Sequence, residues 1–279
     1  MSRTQGERSA TAPLDHAMID GAQARSAQAY AERFGEPGYR DPARIYIDQR
    51  YAGYSQENQA TWRALYGAQM PFLADHASRT YLAGAAAIAL GPERIPGLDE
   101  INARLGPMTG WQSRAVPGYL PPRAFFACLA RREFPTTIVI RPRAQLGYLP
   151  QPDIFHDVFG HVPLHADPVF ADFLQTWGLS ALGARDGAPL EALTRLFWFT
   201  VEFGLIREGA QIKLYGSGLI SSPEEARHAL ESPDVERRPF ELERVCATPF
   251  QIDHYQPLLY VLESFEQLRD AMRSWRLAA

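Results

Sequence analysis

His156 and His161 lie five positions apart in "PDIFHDVFGHVPLH", residues 152–165, and His165 closes the stretch. Three of the chain's seven histidines fall here. Imidazole is the commonest metal ligand, so the stretch raises the question of metal chemistry. An ideal α-helix advances about 100° per residue, which sets residues five apart roughly 140° around its axis. A four-residue spacing would put both rings on one face; this spacing does not. Gly160 stands directly before His161 and Pro163 shortly after it, so the helix ends, widens or bends there. A π-type widening or a break could bring the two rings to a common point. Asp153 is placed to cap a helix that begins at this stretch. His156 then falls in the first turn, where the positive end of the dipole favours the neutral imidazole, the ligand form. The plain alternative is two half-buried histidines in a core helix, each satisfied by a backbone carbonyl.

A candidate third donor lies farther along. In "FWFTVEFGL", Glu202 is surrounded by Phe197, Trp198, Phe199, Val201, Phe203 and Leu205. A buried carboxylate without a partner is costly. A metal ion would offset that cost, and so would an arginine. Two histidines and one carboxylate, with positions left open, form the facial triad of non-haem Fe(II) oxygenases. The same count suits a catalytic zinc. His165, followed by Ala166-Asp167-Pro168, reads as a loop or helix-start residue and not as a ligand.

The elements that must position these groups are mostly helical. "TWRALYGAQMPFLADHA" repeats its apolar residues at three- and four-residue intervals. "ASRTYLAGAAAIAL" is a second helix, and "LDEINARL" a short one ended by Gly106-Pro107. Pro122 opens a helix in "PPRAFFACLARREF", where its missing N–H costs nothing. "PVFADFLQTWGLSAL" and "PLEALTRLFWFTVEFGLI" are two more, the second opened by Pro189. Ser222 and Glu225 have capping-box spacing before another. "YQPLLYVLESFEQLRDAMRSWRL" reads as a long closing helix. Strands are short: "TTIVIR" at 136–141, "AQIKLYGSG" and "PFQID". The fold class is mainly α with short β ribbons, not a doubly wound sheet.

The chain has 279 residues, 46% of them hydrophobic, enough for an independent core. Charged residues make up 22% and the net charge is −4, so nothing calls for a nucleic-acid partner. No apolar run is long enough for a membrane span, and the N-terminus lacks the apolar core of a signal peptide. Cys128 and Cys246 are far apart and read as buried thiols in a reducing compartment. A cytoplasmic location is the expectation. Residues 1–35, rich in Ser, Ala, Gly, Arg and Gln, read as a flexible tail ahead of a single domain at 36–279.

Four segments, "PDIFHDVFGHVPL", "FWFTVEFGLI", "KLYGSGLISS" and "PGYLPPRAFFACLARREFP", resemble the pterin-dependent aromatic amino acid hydroxylases. The likeness is nearest to the bacterial phenylalanine 4-hydroxylases, which consist of a catalytic domain alone. "WRALYGAQM", "RIPGLDEINARL" and "PMTGW" match as well, so the resemblance spans roughly residues 45 to 270 in order. It implies that His156, His161 and Glu202 bind a ferrous ion. It implies a tetrahydropterin near Phe125, with Gly118, Tyr119 and Leu120 in its binding loop and Asp157 close to pterin and iron. Arg141 would hold the substrate carboxylate, with Ser221 at the same end. Trp198 and Pro152 would pack on the substrate ring and Gly218 would line the wall. The implied reaction converts L-phenylalanine to L-tyrosine with O₂, through a ferryl-oxo intermediate. The resemblance also implies a monomer, since the chain lacks the regulatory and tetramer-forming segments of the animal enzymes.

Two departures stand out. Phe197 replaces a usual Tyr, and Ser217 a usual Ala; neither is expected to touch a ligand. By the same resemblance, Trp198 stands where tryptophan hydroxylases carry Phe and Ile252 where tyrosine hydroxylases carry Asp, which implies phenylalanine as substrate and leaves tryptophan and tyrosine as alternatives. Two further readings stand apart from the resemblance. One is a zinc hydrolase with Asp157 as its base. The other is a metal-stabilised scaffold, which would want a closed four-ligand site.

Overall fold

The computed structural model describes residues 45–118, 120–147, 152–250 and 254–278. The expectations for residues 1–35, Tyr119 and Ile252 lie outside these.

Helix α1 (Gln56–His76) starts at a reciprocal cap: Asn58 N–H donates to Ser55 Oγ, and Ser55 N–H to Asn58 Oδ1. Helix α2 (Arg79–Ala87) follows under a Ser78 cap. Helix α3 (Leu98–Thr109) runs through Pro107, three residues past the expected stop, and ends where Gly110 turns left-handed at φ 77°. Strand β1 (Gln112–Val116) pairs in parallel with β2 (Glu133–Thr137) across helix α4 (Pro122–Ala130), which Pro122 opens as expected. The sequence reading set this second strand at 136–141. Pairing with β1 moves it back to 133–137, and the β-branched run beyond Thr137 leaves the sheet.

A π-helical turn (Phe155–His161) comes next and passes directly into a 3₁₀ turn (Val162–Ala166). Helix α5 (Pro168–Gly183) is capped by Asp167, which accepts from Phe170 N–H at 2.8 Å. Helix α6 (Ala188–Phe197) runs into a second π turn (Trp198–Glu202). The sequence reading kept one helix through Ile206. Here Gly204 breaks it, and Leu205 and Ile206 open strand β3 (Leu205–Glu208), hairpinned to β4 (Gln211–Leu214). Then come the short helix α7 (Ser217–Ser221), α8 (Pro223–Glu231), β5 (Glu236–Pro239) and α9 (Leu242–Ala247). The supposed long closing helix divides into strand β6 (Leu258–Leu262) and helix α10 (Phe265–Ala278). All but the first residue of the apolar run "LLYVL" are buried, and β6 pairs with β3 and β5 in a mixed sheet ordered β4-β3-β6-β5. Periodicity alone does not separate such a run from a buried helix.

The core is continuous from α1 to α10, with Trp62, Trp111, Trp177 and Phe170 buried in it. Phe155 and Phe159 stack in it at 4.4 Å between centroids, one turn apart on the π segment. Burying such rings stabilises by about 1.5–3 kcal/mol each. This anchors the apolar side of the segment and directs the histidines to the other side. Helix dominates and the strands are short, as expected. Among the described residues no helix is long and apolar enough to cross a membrane.

Candidate metal centre and substrate cavity

The π turn resolves the histidine spacing. Its i→i+5 hydrogen bonding returns the fifth residue over the first, so His161 comes to lie beside His156. Their Nε2 atoms are 3.1 Å apart, with the rings at 85°. The second π turn does the same work for the carboxylate. Phe203 N–H donates to Trp198 O five residues back at 2.9 Å, which closes the helix and leaves Glu202 aimed at the histidines. Glu202 Oε1 lies 3.3 Å from His161 Nε2, and Oε2 lies 3.7 Å from His156 Nε2. The three potential ligand atoms all fall within 4.8 Å of one another.

The protonation states suit a metal. Burial lowers the His156 pKa to about 4, against the pull of Glu202, so this ring is neutral at neutral pH. Burial works against ionisation of Glu202, but His161, His156 and Ser217 more than offset it and hold the carboxyl at about 2. Neutral imidazole beside ionised carboxylate is the metal-binding form of this donor set.

The tautomer of His156 follows from its neighbour. Ser221 Oγ donates its one proton to Ser217 O at 2.8 Å and lies 2.8 Å from His156 Nδ1. The serine must therefore accept from Nδ1–H, which leaves the Nε2 lone pair for a metal. Ser221 thus serves His156. Ser217 was expected to touch no ligand. Its Oγ lies 2.7 Å from Glu202 Oε2.

Helix α7, which carries both serines, packs on both π turns through glycines. A Cβ on Gly160 would sit 3.0 Å from Ser217 O. A Cβ on Gly216 would run into the Glu202 carbonyl and the Gly204 nitrogen.

Arg141 is buried and forked onto Asp153: Nε to Oδ2 at 2.8 Å and Nη2 to Oδ1 at 3.0 Å. Its Nη1 reaches the carbonyls of Leu146 and Gly147. Four of its five N–H donors thus have partners among the described residues, leaving one on Nη2. Burial disfavours the Asp153 carboxylate, yet its pKa is lowered, because Arg141 and the backbone N–H groups of His156 and Arg141 favour the charged form. Asp153 caps the π turn as expected, accepting from His156 N–H at 3.0 Å.

A cavity of about 460 Å³ opens beside the three donors. It is lined by Gly118, Leu120 and Phe125 on one side and by Arg141, Pro152, Trp198, Gly218 and Ser221 on others. Asp157 also lines it; Thr137 N–H donates to its Oδ2 at 2.7 Å, and burial raises its pKa to about 7. Trp198 stacks on Phe250 at 4.4 Å. Phe197 is edge-on to Phe125 at 5.8 Å. The sequence reading missed Phe134, Phe203, Glu225 and His254 in the lining. Of these, the sequence sets Phe203 beside Glu202 and Glu225 at capping-box spacing, and neither signal points to the cavity. His165 lies in the 3₁₀ turn, fully buried and stacked on Trp111 at 4.7 Å. Both its ring nitrogens lack a hydrogen-bond partner among the described residues, so it is a core residue.

A mainly α domain that gathers two imidazoles and a carboxylate at the wall of an aromatic cavity has the architecture of a mononuclear non-haem metalloenzyme. The model of the biopterin-dependent aromatic amino acid hydroxylase family matches residues 39–278. The chain belongs to that family. It is 43% identical over 227 residues to a phenylalanine-4-hydroxylase of Ralstonia nicotianae, covering 81% of this chain and 72% of that protein. Among solved structures it is similar to Chromobacterium violaceum phenylalanine hydroxylase with bound Fe(III): TM-score 0.80, 41% identity, 82% of this chain and 83% of that one. It is equally similar, at TM-score 0.80 and 40% identity, to that enzyme with iron(III) and 7,8-dihydrobiopterin, covering 84% and 86% of the two chains.

Proposed function

We propose that this protein is a phenylalanine 4-monooxygenase, converting L-phenylalanine to L-tyrosine with O₂, ferrous iron and a tetrahydropterin. One observation carries the reading: three donors from two separate π turns converge within 4.8 Å at the wall of an aromatic cavity, in a chain of this family. His156, His161 and Glu202 hold the iron. Iron and pterin together supply the oxygen activation that an aromatic C–H requires.

The chain's own residues bind, orient and exclude water. Ser221 holds His156 in the tautomer that exposes Nε2. The free N–H of Arg141 takes the substrate carboxylate, and the fork to Asp153 keeps the guanidinium in place. Trp198 and Pro152 pack against the substrate ring, and Gly218 leaves room beside it. Phe125 offers its ring to the pterin, with Gly118, Tyr119 and Leu120 as the loop around it and Asp157 nearby. The apolar rings exclude bulk water from the reacting centre. Residues 36–279 make up the catalytic domain, which works as a monomer in the cytoplasm. The family match over 39–278 supports the domain bounds, and the two buried free thiols support the location.

The test supplies metal-free protein with Fe(II) or Zn(II), a tetrahydropterin and air, and follows tyrosine formation from phenylalanine. Turnover with iron and none with zinc is expected. Turnover with zinc alone overturns the proposal, and faster turnover of tryptophan or tyrosine in parallel assays reassigns the substrate.

A further inference from the structure

Ser217 brings a hydroxyl into the metal centre that no ligand set requires. Its Oγ lies 2.7 Å from Glu202 Oε2 and 3.2 Å from Val201 O. A hydroxyl has one proton to give. The ionised carboxylate is the nearer acceptor and makes the stronger, charge-assisted bond. Ser217 is 1% exposed and the Glu202 side chain 16%, so the contact is largely shielded from water. The two oxygens of Glu202 are thereby made unequal. Oε2 carries a hydrogen bond, while Oε1, 3.3 Å from His161 Nε2, carries none from Ser217.

The serine's place is fixed by its backbone. A Cβ on Gly160 would lie 3.0 Å from Ser217 O, and one on Gly218 would lie 3.1 Å from Glu202 O. The residue is therefore held between both ligand-bearing segments, and its reach to Oε2 does not depend on a mobile loop.

We propose that Ser217 is a positioning residue for Glu202: it occupies Oε2 and presents Oε1 as the single carboxylate donor to the metal. A carboxylate free to use both oxygens can fill a position that three ligand residues leave open for reactants. The inference rests on the ligand set proposed above and deepens it.

The test compares wild type, Ser217→Ala and Glu202→Gln, each metal-free and checked for folding by circular dichroism. Each is titrated with Fe(II) by calorimetry and with Co(II), whose d–d absorption reports coordination number. In Ser217→Ala, metal affinity falls about tenfold, the scale for losing a group that orients a ligand. Its Co(II) bands weaken towards those of a higher coordination number. Glu202→Gln loses binding far more severely. If Ser217→Ala matches wild type in both affinity and Co(II) spectrum while Glu202→Gln loses binding, the positioning role is wrong and the ligand set stands. If Glu202→Gln binds metal as wild type does, the ligand set falls and the role of Ser217 falls with it.

Discussion

The two π turns solve different problems with the same backbone device. The first, Phe155–His161, lies inside a continuous helical run and has its cap close in sequence at Asp153, while the ring of His156 is held by Ser221 from helix α7. It delivers two donors from one segment. The second, Trp198–Glu202, ends a helix and gives way to a strand through Gly204. It delivers one donor, and what steadies that donor comes from elsewhere in the chain, chiefly Ser217 and the packing of Gly216. The backbone of a ligand pair can thus be framed locally, whereas a ring's orientation and a lone ligand each need a neighbour brought in by the fold. Helix α7 serves both turns, which makes it the point where their difference can be probed.

The largest expected effect is on the local frame of the first turn. Arg141→Ala leaves Asp153 buried without its cation, which should cost about 3–5 kcal/mol in urea unfolding and raise KM for phenylalanine. A stability unchanged from wild type would show that the fork does not hold the turn. The same pair sets a pH dependence. Because the folded pKa of Asp153 is depressed, its contribution is fully present above the unfolded value of about 3.9 and is lost as pH falls through the folded value. Asp153→Asn should flatten that acid limb, as read from unfolding curves across pH. A smaller effect is expected at the shared contact. Gly160→Ala pushes a methyl against Ser217 O, at about 1–3 kcal/mol of overpacking, and should weaken Fe(II) binding through both turns. Retained iron affinity would mean that α7 shifts without disturbing either. The smallest is a control far from both: Ser55→Ala removes the α1 cap, costs about 1 kcal/mol and should leave iron affinity unchanged.

Much of this was legible in the sequence where the signal is local. Gly160 and Pro163 around an ill-spaced histidine pair announced a helix that ends, widens or bends there, and of the three it widens. Glu202 in an apolar run announced a carboxylate in need of a partner. Pro122, Asp153 and Ser222 sit at the helix starts their types favour. What failed depended on distant pairing. "LLYVL" and "LI" after Gly204 become strands because β3 and β6 find each other across more than fifty residues, a fact invisible to periodicity. The contact between Ser217 and Glu202 was missed for the same reason: its partners are fifteen residues apart and meet only after a helix-to-strand break and a hairpin. Arg141 and Ser221 were placed on the cavity, but their internal partners were not foreseen.

Gly204 and Gly216 show where this architecture tolerates least change. A Cβ on Gly204 would collide with the Tyr215 ring and the Thr200 carbonyl, and one on Gly216 with the backbone of Gly204 and Glu202. Of the twenty residue types only glycine fits either position without moving the chain that carries Glu202. In a saturation library these two sites should therefore be nearly as silent as the ligands, although neither offers an atom to a metal, a cofactor or a substrate. The strictest part of this site's heredity is thus written in residues that have no side chain.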